Sequence, residues 1–298
     1  MSARARRLRK LNYKEITAYL FILPDLLIFA IFIGFPVFFA FYMSLHRWEI
    51  FSDPIFIGLQ NYAKLLKDEL FLNSVKNTFI FALGYVPGAV FIPLFIGLIL
   101  HQKWFRGATL IRTIYFLPVV TGWVEIAVIW QWILNPETGL LNYFLSFLGI
   151  PKQYWLSSPA LAMPTVITLT VWKVIGFNLV IYAAGLKGIP DQLYEAARVD
   201  GATGWRLFRY VTWPLLKSTT FFVMVLSLIG SFQVFAPIYV LTEGGPNYTT
   251  DVMVYFIYNN AFQYFRMGYA SAMAYVLFLI VFTFSMIQWR YFGRGIRL

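Results

Sequence analysis

Cysteine is absent from the 298 residues, which excludes a disulfide framework and any thiolate metal site and leaves the redox compartment open. Histidine occurs only at His46 and His101, far from the spacing of a zinc-binding pair on one helix. Charge is scarce. Only 12% of residues are charged, against about a quarter in soluble domains. No Gly-rich loop ends in Gly-Lys-Ser or Gly-Lys-Thr, no serine sits in Gly-x-Ser-x-Gly, and no paired carboxylates share a face within a span. The chain therefore has no phosphate cradle of its own, and any ATP is hydrolysed by a partner. Catalysis is poorly supported.

What is abundant is apolar: 60% of residues are hydrophobic and 20% aromatic, the composition of an integral membrane protein. Runs of bilayer length, about 20 residues each, lie at roughly 18–45, 76–100, 109–132, 161–185, 217–241 and 269–290. Six transmembrane helices are expected, forming an all-α polytopic domain over 18–298 behind a basic stretch at 1–17. The first run is longer than a cleavable signal core and lacks a convincing small-residue cleavage site, so it is read as an anchor. No internal repeat or second domain is visible. Gly84 and Gly88, and Ala270 and Ala274, form faces of small residues suited to close helix packing, and Pro87 and Pro93 predict a bend in the second span.

The net charge is +11, but the basic residues fall between hydrophobic runs and do not gather into a nucleic-acid-binding patch. Placing the N-terminus in the cytoplasm puts Arg4, Arg6, Arg7, Arg9, Lys10 and Lys14 there, then Lys103, Arg106 and Arg112. The loop at 186–216 adds Lys187, Arg198, Arg206 and Arg209, Lys217 follows it directly, and the C-terminus adds Arg290, Arg294 and Arg297. The positive-inside rule then predicts both termini and the 186–216 loop on the cytoplasmic side. Arg47, Lys64, Lys67, Lys76, Lys152 and Arg266 are left outside. The outer connections at 46–75, 133–160 and 242–268 are either a docking rim for an extracytoplasmic partner or solvated connectors. Asn247-Tyr248-Thr249 matches a glycosylation acceptor by chance.

The 186–216 loop is a polar island. Pro190 suits a first helical turn and Asp191 its positive end, which predicts a short helix over about 192–199 stopped by Gly201. Leu193, Ala196, Ala197 and Asp200 share one face at helical spacing, and the two alanines allow another protein to approach the backbone closely. Thr203 is a candidate cap for a second short helix carrying Trp205, Arg206, Phe208 and Arg209, with Pro214 marking the return to the membrane. An ordinary hairpin loop fits the same local physics.

Two charges lie at membrane depth, Glu125 and Lys173. A central lysine costs about 2.5–3.5 kcal/mol on insertion scales, so it should face the bundle interior or a wet cavity. Thr170, Lys173 and Phe177 recur at i, i+3 and i+7, with Asn178 adjacent. In the fifth run Ser227 and Ser231 are four apart, beside Gly230 and Gln233. These two faces are expected to line one polar cavity with aromatic walls, suited to a sugar ring. Hydrogen bonding within a packed bundle is the alternative. Lys173 needs an acceptor there, either the solute or Glu125.

The sequence Glu195-Ala196-Ala197, then Asp200-Gly201-Ala202 and Pro214-Leu215-Leu216, resembles the EAA loop of ABC-importer membrane subunits. Ala184-Gly185-Leu186, Ile189-Pro190, Thr242-Glu243-Gly244-Gly245-Pro246, Ala261-Phe262 and Gly268-Tyr269-Ala270-Ser271-Ala272 resemble the carbohydrate-uptake branch, the maltose and glycerol-phosphate type. The resemblance implies a MetI-like permease fold in a bacterial or archaeal cell membrane. It also implies a second similar permease, two cytoplasmic ATPases that use ATP and magnesium, and an extracytoplasmic solute-binding protein, with no cofactor on this chain. It assigns Glu195, Ala196, Ala197, Asp200 and Gly201 to ATPase coupling, with Glu195 as the polar contact and Gly201 as the turn. Solute contacts on Thr170, Lys173, Phe177, Ser227, Gly230, Ser231 and Gln233 carry over less directly. An ion-coupled secondary transporter or channel is the rival class, for which one Lys and one Glu are a thin case. An intramembrane transferase would need an acidic motif at a membrane face, and none is found.

Overall fold

The computed structural model describes residues 13–102 and 106–292, which are mostly helical. Arg4 to Lys10, Lys103, Arg294 and Arg297 lie outside the described residues. Helix α1 comprises Tyr13–Phe29, a π turn at Ala30–Gly34 and Phe35–Ser44. A two-stranded ladder, β1 (His46–Arg47) against β2 (Ile55–Phe56), follows, then α2 (Gln60–Leu65), α3 (Glu69–Leu100) and the pair α4 (Ala108–Val120) and α5 (Trp123–Ile133). Beyond α6 (Leu140–Ser146) come α7 (Ala162–Lys187) and α8 (Asp191–Val199). Helix α9 joins Gly204–Leu207, a π turn at Phe208–Thr212 and Trp213–Phe232. Short α10 (Ala236–Leu241) and α11 (Met253–Tyr258) precede α12 (Met267–Phe292).

Among the described residues five helices are long and apolar enough to cross a membrane, and α4 with α5, bent by 102°, make a sixth when counted as one span. Two expectations change. The run at 109–132 is a broken helix and not a straight rod, because residues 121–122 between α4 and α5 leave the helical path. The helix that carries the fifth span begins at Gly204 and ends at Phe232, so Pro214 lies inside a continuous helix and does not separate a second short helix from the span. The physical reason lies in the π turn before it. A proline ring clashes with the carbonyl four residues back and cannot donate to it, and here that residue, Tyr210, sits in the widened turn. Pro36 stands in the same relation to the π turn of α1.

Helix α3 is the central member, packed against α7 and α9. It starts where Asp68 Oδ1 accepts the backbone N–H groups of Leu70 and Phe71, at 3.1 and 3.2 Å, a side-chain N-cap. The helix runs unbroken through both Pro87 and Pro93. Pro93 has no N–H for the Ala89 carbonyl. That carbonyl accepts instead from Asn178 Nδ2 of α7 at 2.7 Å, a neighbouring helix replacing the missing donor. Asn178 is 2% exposed, so it belongs to the α3–α7 seam. Gly84 and Gly88 set the distance of that seam: a Cβ on either would come within 2.9 Å of Ile167 or Val171. At the α4 crossing, a Cβ on Gly176 would lie 2.1 Å from the Tyr115 carbonyl oxygen.

At the end of the bundle opposite residues 186–216, the loop preceding α11 is tied to α3. Asn73 and Asn77 each donate from Nδ2 to the Tyr248 carbonyl at 2.8 Å, Asn77 also to that of Asp251 at 3.0 Å, and the Met253 N–H donates to Thr78 Oγ1 at 2.9 Å. Asp251 is 2% exposed with one carboxyl oxygen unpartnered, and burial pushes its pKa up to about 7.

Candidate transport pathway and coupling loop

Helix α8 opens after Pro190, which holds an extended conformation, with Asp191 in its first turn and Arg198 in its last, each at the end of the helix dipole that favours its sign. It closes in a Schellman motif. The Ala202 N–H reaches the Ala197 carbonyl at 2.8 Å and the Gly201 N–H reaches that of Arg198 at 3.0 Å, with Gly201 at φ +79°. Nothing lies within 4 Å of a Cβ placed on Gly201, so the demand for glycine there is conformational and not steric. Thr203 occupies the cap position of α9 with no side-chain capping bond; only its carbonyl serves, accepting the Arg206 N–H at 3.0 Å.

Glu195, Ala196, Asp200 and Gly201 are exposed, as are Leu193 and Val199, whereas Ala197 is half-buried. The open face of α8 is therefore centred on Ala196 and Glu195. The inward face is held by Tyr194, a residue that periodicity did not single out. Its hydroxyl lies 3.2 Å from Thr212 Oγ1, and its ring packs on the cluster of Val90, Leu94, Tyr182, Leu186 and Leu216. The signal available was size: Tyr194 is the one aromatic side chain in the helix. Glu195 and Arg198 also line a cleft of about 360 Å³ between α8 and the start of α9, floored by Leu186 and Phe208.

A second cavity, of about 480 Å³, opens between α5, α7 and the end of α9, and its lining includes Thr170, Lys173, Phe177, Gly230 and Gln233 together with Trp123. Thr170 spends its hydroxyl on the Val166 carbonyl at 2.7 Å. Ser227 and Ser231 do not reach this cavity. They are 4% and 0% exposed, and the Ser231 hydroxyl bonds the Leu228 carbonyl of its own helix at 2.7 Å. The reason is that α9 packs against α3, α7 and α12, so several of its faces are buried and spacing alone cannot say which one fronts open space. Gly230, with nothing within 4 Å of a would-be Cβ, does front it.

Lys173 has an acceptor set that neither expectation named. Its Nζ donates to the carbonyls of Pro118 at 2.7 Å and Thr121 at 2.8 Å, the free carbonyls where α4 ends. The ammonium also lies 5.4 Å from the Trp123 ring centre, within cation–π range. Among the described residues no ion pair joins it to Glu125. The carboxylate of Glu125 folds instead towards Gly122 in the first turn of α5, a site that favours negative charge. Lys173 thus fastens the break in the third span while its stem and one flank border the cavity. No group of three metal-ligating side chains exists among the described residues.

Residues 67–298 match the family described as the inner membrane component of binding-protein-dependent transport systems. The chain belongs to this family. It is a multi-pass inner-membrane permease, a transport subunit and not an enzyme. The permease is 38% identical to a probable ABC transporter permease of Bacillus subtilis, YurN, over 95% of this chain and 98% of the relative. It is 36% identical to the trehalose/maltose permease MalF of Thermococcus litoralis, over 93% and 94% of the two chains, and 33% identical to the sn-glycerol-3-phosphate permease UgpA of Agrobacterium fabrum, over the same shares. A crystal structure of a bacterial ABC transporter that imports the acidic polysaccharide alginate has a chain superposing with a TM-score of 0.84 at 26% identity, covering 95% of this permease and 97% of that chain. A second structure, of an alginate transporter in complex with its pentasaccharide-bound periplasmic protein, gives 0.79 at 27%, covering 92% and 93%.

Proposed function

We propose that the permease forms one half of the membrane channel of a sugar importer. A second, similar permease supplies the other half, two cytoplasmic ATPases hydrolyse ATP with magnesium, and an extracytoplasmic protein delivers the solute. Residues 18–298 act as one transmembrane domain, both termini and the 186–216 loop lie in the cytoplasm, and Glu195, Ala196, Ala197, Asp200 and Gly201 meet the ATPase. The carbohydrate names of the relatives support the solute class, and the segregation of basic residues supports the orientation.

One observation carries the mechanism: α8 is the covalent link between α7 and α9, the two helices that carry Thr170, Lys173 and Phe177 on one wall of the 480 Å³ cavity and Gly230 and Gln233 on the other. Tyr194 clamps α8 onto both of them. An ATPase that pulls α8 as a rigid body therefore moves both walls together, which is how a closure at one end opens or shuts a site in the membrane. In the cavity, Phe177 and Trp123 present flat apolar faces for a sugar ring, and Gln233 offers amide donors and acceptors for its hydroxyls.

The test is uptake of labelled maltose, trehalose, an arabino-oligosaccharide and glycerol 3-phosphate by cells carrying the intact transporter. Accumulation of one of them that stops when ATP is depleted under a maintained ion gradient supports the assignment. Accumulation that persists under those conditions removes it.

A further inference from the structure

A third cavity, of about 420 Å³, lies at the end of the bundle opposite α8 and is lined by Arg47, Lys64 and Arg266 with Trp48, Glu49 and Tyr269. The orientation rule leaves only six basic residues on this side, and three of them converge here, so the grouping runs against the general scarcity of outer positive charge. None of the three side chains makes an ion pair or donates a hydrogen bond to another described residue. Lys64 rests 4.6 Å from the centre of the Tyr269 ring and Arg266 5.8 Å from that of Tyr264. Neighbouring Asp68 is already engaged, one oxygen capping α3 and the other accepting the Tyr269 hydroxyl at 2.7 Å.

The walls are built, not draped. Buried Asn61 donates from Nδ2 to the carbonyls of Ser44 at 2.8 Å and His46 at 3.0 Å, and the Ser44 hydroxyl lies 2.7 Å from that of Tyr62. The Gly268 N–H reaches the Trp48 carbonyl at 3.2 Å. A Cβ on Gly268 would stand 2.0 Å from the His46 carbonyl oxygen, so only glycine lets α12 close the wall. This scaffold gathers three basic side chains and the single Glu49 carboxylate around one space, a net positive arrangement relieved by an incoming anion.

We propose that this cavity is a socket for acidic side chains of the extracytoplasmic solute-binding protein. The inference rests on the reading that the permease works with such a protein. The rim favours a protein over a free sugar: Phe51, Leu59 and Phe265 are exposed beside the socket, and Phe51 and Phe265 meet edge to face at 5.6 Å, the apolar margin expected around a charged contact between proteins. The socket shares no residue with the Lys173 cavity and stands on β1, α2 and α12, away from the path formed by α5, α7 and α9.

The test measures ATPase stimulation of the reconstituted full transporter against binding-protein concentration, for the parent and for a permease carrying Arg47→Glu, Lys64→Glu and Arg266→Glu together. The half-saturating concentration is expected to rise about tenfold with the maximal rate retained. A permease with Gln at all three positions is expected to lose most of the parent's salt dependence, and it probes the same three contacts if the reversed triple fails to assemble. A parent that the binding protein does not stimulate removes the reading of the importer and the socket with it. A stimulated parent whose variants match it at every salt concentration removes the socket alone. The same holds if a galacturonate trisaccharide binds the purified transporter through these three residues while affinity for the binding protein stays unchanged, because the cavity is then a free-solute site.

Discussion

The bond between Asn178 and the Ala89 carbonyl offers a clean test of why α3 survives its prolines. Asn178→Leu keeps the side-chain shape but strands a carbonyl whose helical donor Pro93 cannot supply. A buried, unsatisfied acceptor costs about 1–3 kcal/mol, and interhelical hydrogen bonds in membranes average nearer 0.6 kcal/mol because alternatives are usually found. Here the bond is short and the site is 2% exposed, so about 2 kcal/mol is expected. In a Pro93→Ala background the new N–H closes the helix onto Ala89, and the same Asn178→Leu change should cost only about 0.6 kcal/mol. The coupling of about 1.4 kcal/mol is a factor of ten in the unfolding equilibrium, and steric effects of leucine cancel because they occur in both backgrounds. The assay is denaturant unfolding of the four purified proteins in mixed micelles. An Asn178→Leu cost that is equal in the parent and in the Pro93→Ala background would refute the reasoning.

Four further outcomes follow from other sites. Gly201→Ala should disturb the end of α8 by about 1–2 kcal/mol, because a Cβ is strained at φ +79°, and Gly201→Asn should disturb it less; co-purification of the ATPase reads the difference. Lys173→Met should cut uptake at least roughly tenfold by freeing the carbonyls at the end of α4, since hydrogen bonds to charged groups contribute about 1.5–3 kcal/mol; adding Glu125→Gln should not restore it. Asp251→Asn should stabilise the protein at neutral pH. A folded pKa near 7 above the ordinary carboxylate value makes the parent lose stability as pH rises between those values, so the gap in melting temperature between variant and parent should widen from about pH 4 to 7 and then level off. Gly176→Ala should separate α4 from α7, because its methyl would sit 2.1 Å from the Tyr115 oxygen, and a lowered yield of folded protein in detergent is the readout.

Much of the architecture was legible because lipid imposes simple rules. Apolar length announces spans, and Pro190 and Gly201 punctuate α8 through backbone conformation that depends on those residues alone. What escaped the sequence depends on pairs of distant residues. Asn178 reads as a neighbour of the cavity until its partner at Ala89 is seen, and Ser227 and Ser231 share a face that periodicity finds but cannot orient on a helix packed on several sides. Tyr194 looks like any loop aromatic until the cluster beneath it is known. The buried carboxyl of Asp251 has no local signal either, since the asparagines that secure its loop lie some 170 residues earlier, on α3.

The tether from Lys173 ends on backbone oxygens, and every amino acid carries one. Residues 118 to 121 are thus free to vary in side chain without losing the contact, provided the chain still turns there. Across a set of aligned permeases, position 173 would show no correlated substitution with those positions, so methods that infer contacts from paired sequence changes would pass over the attachment that holds the third span at its bend.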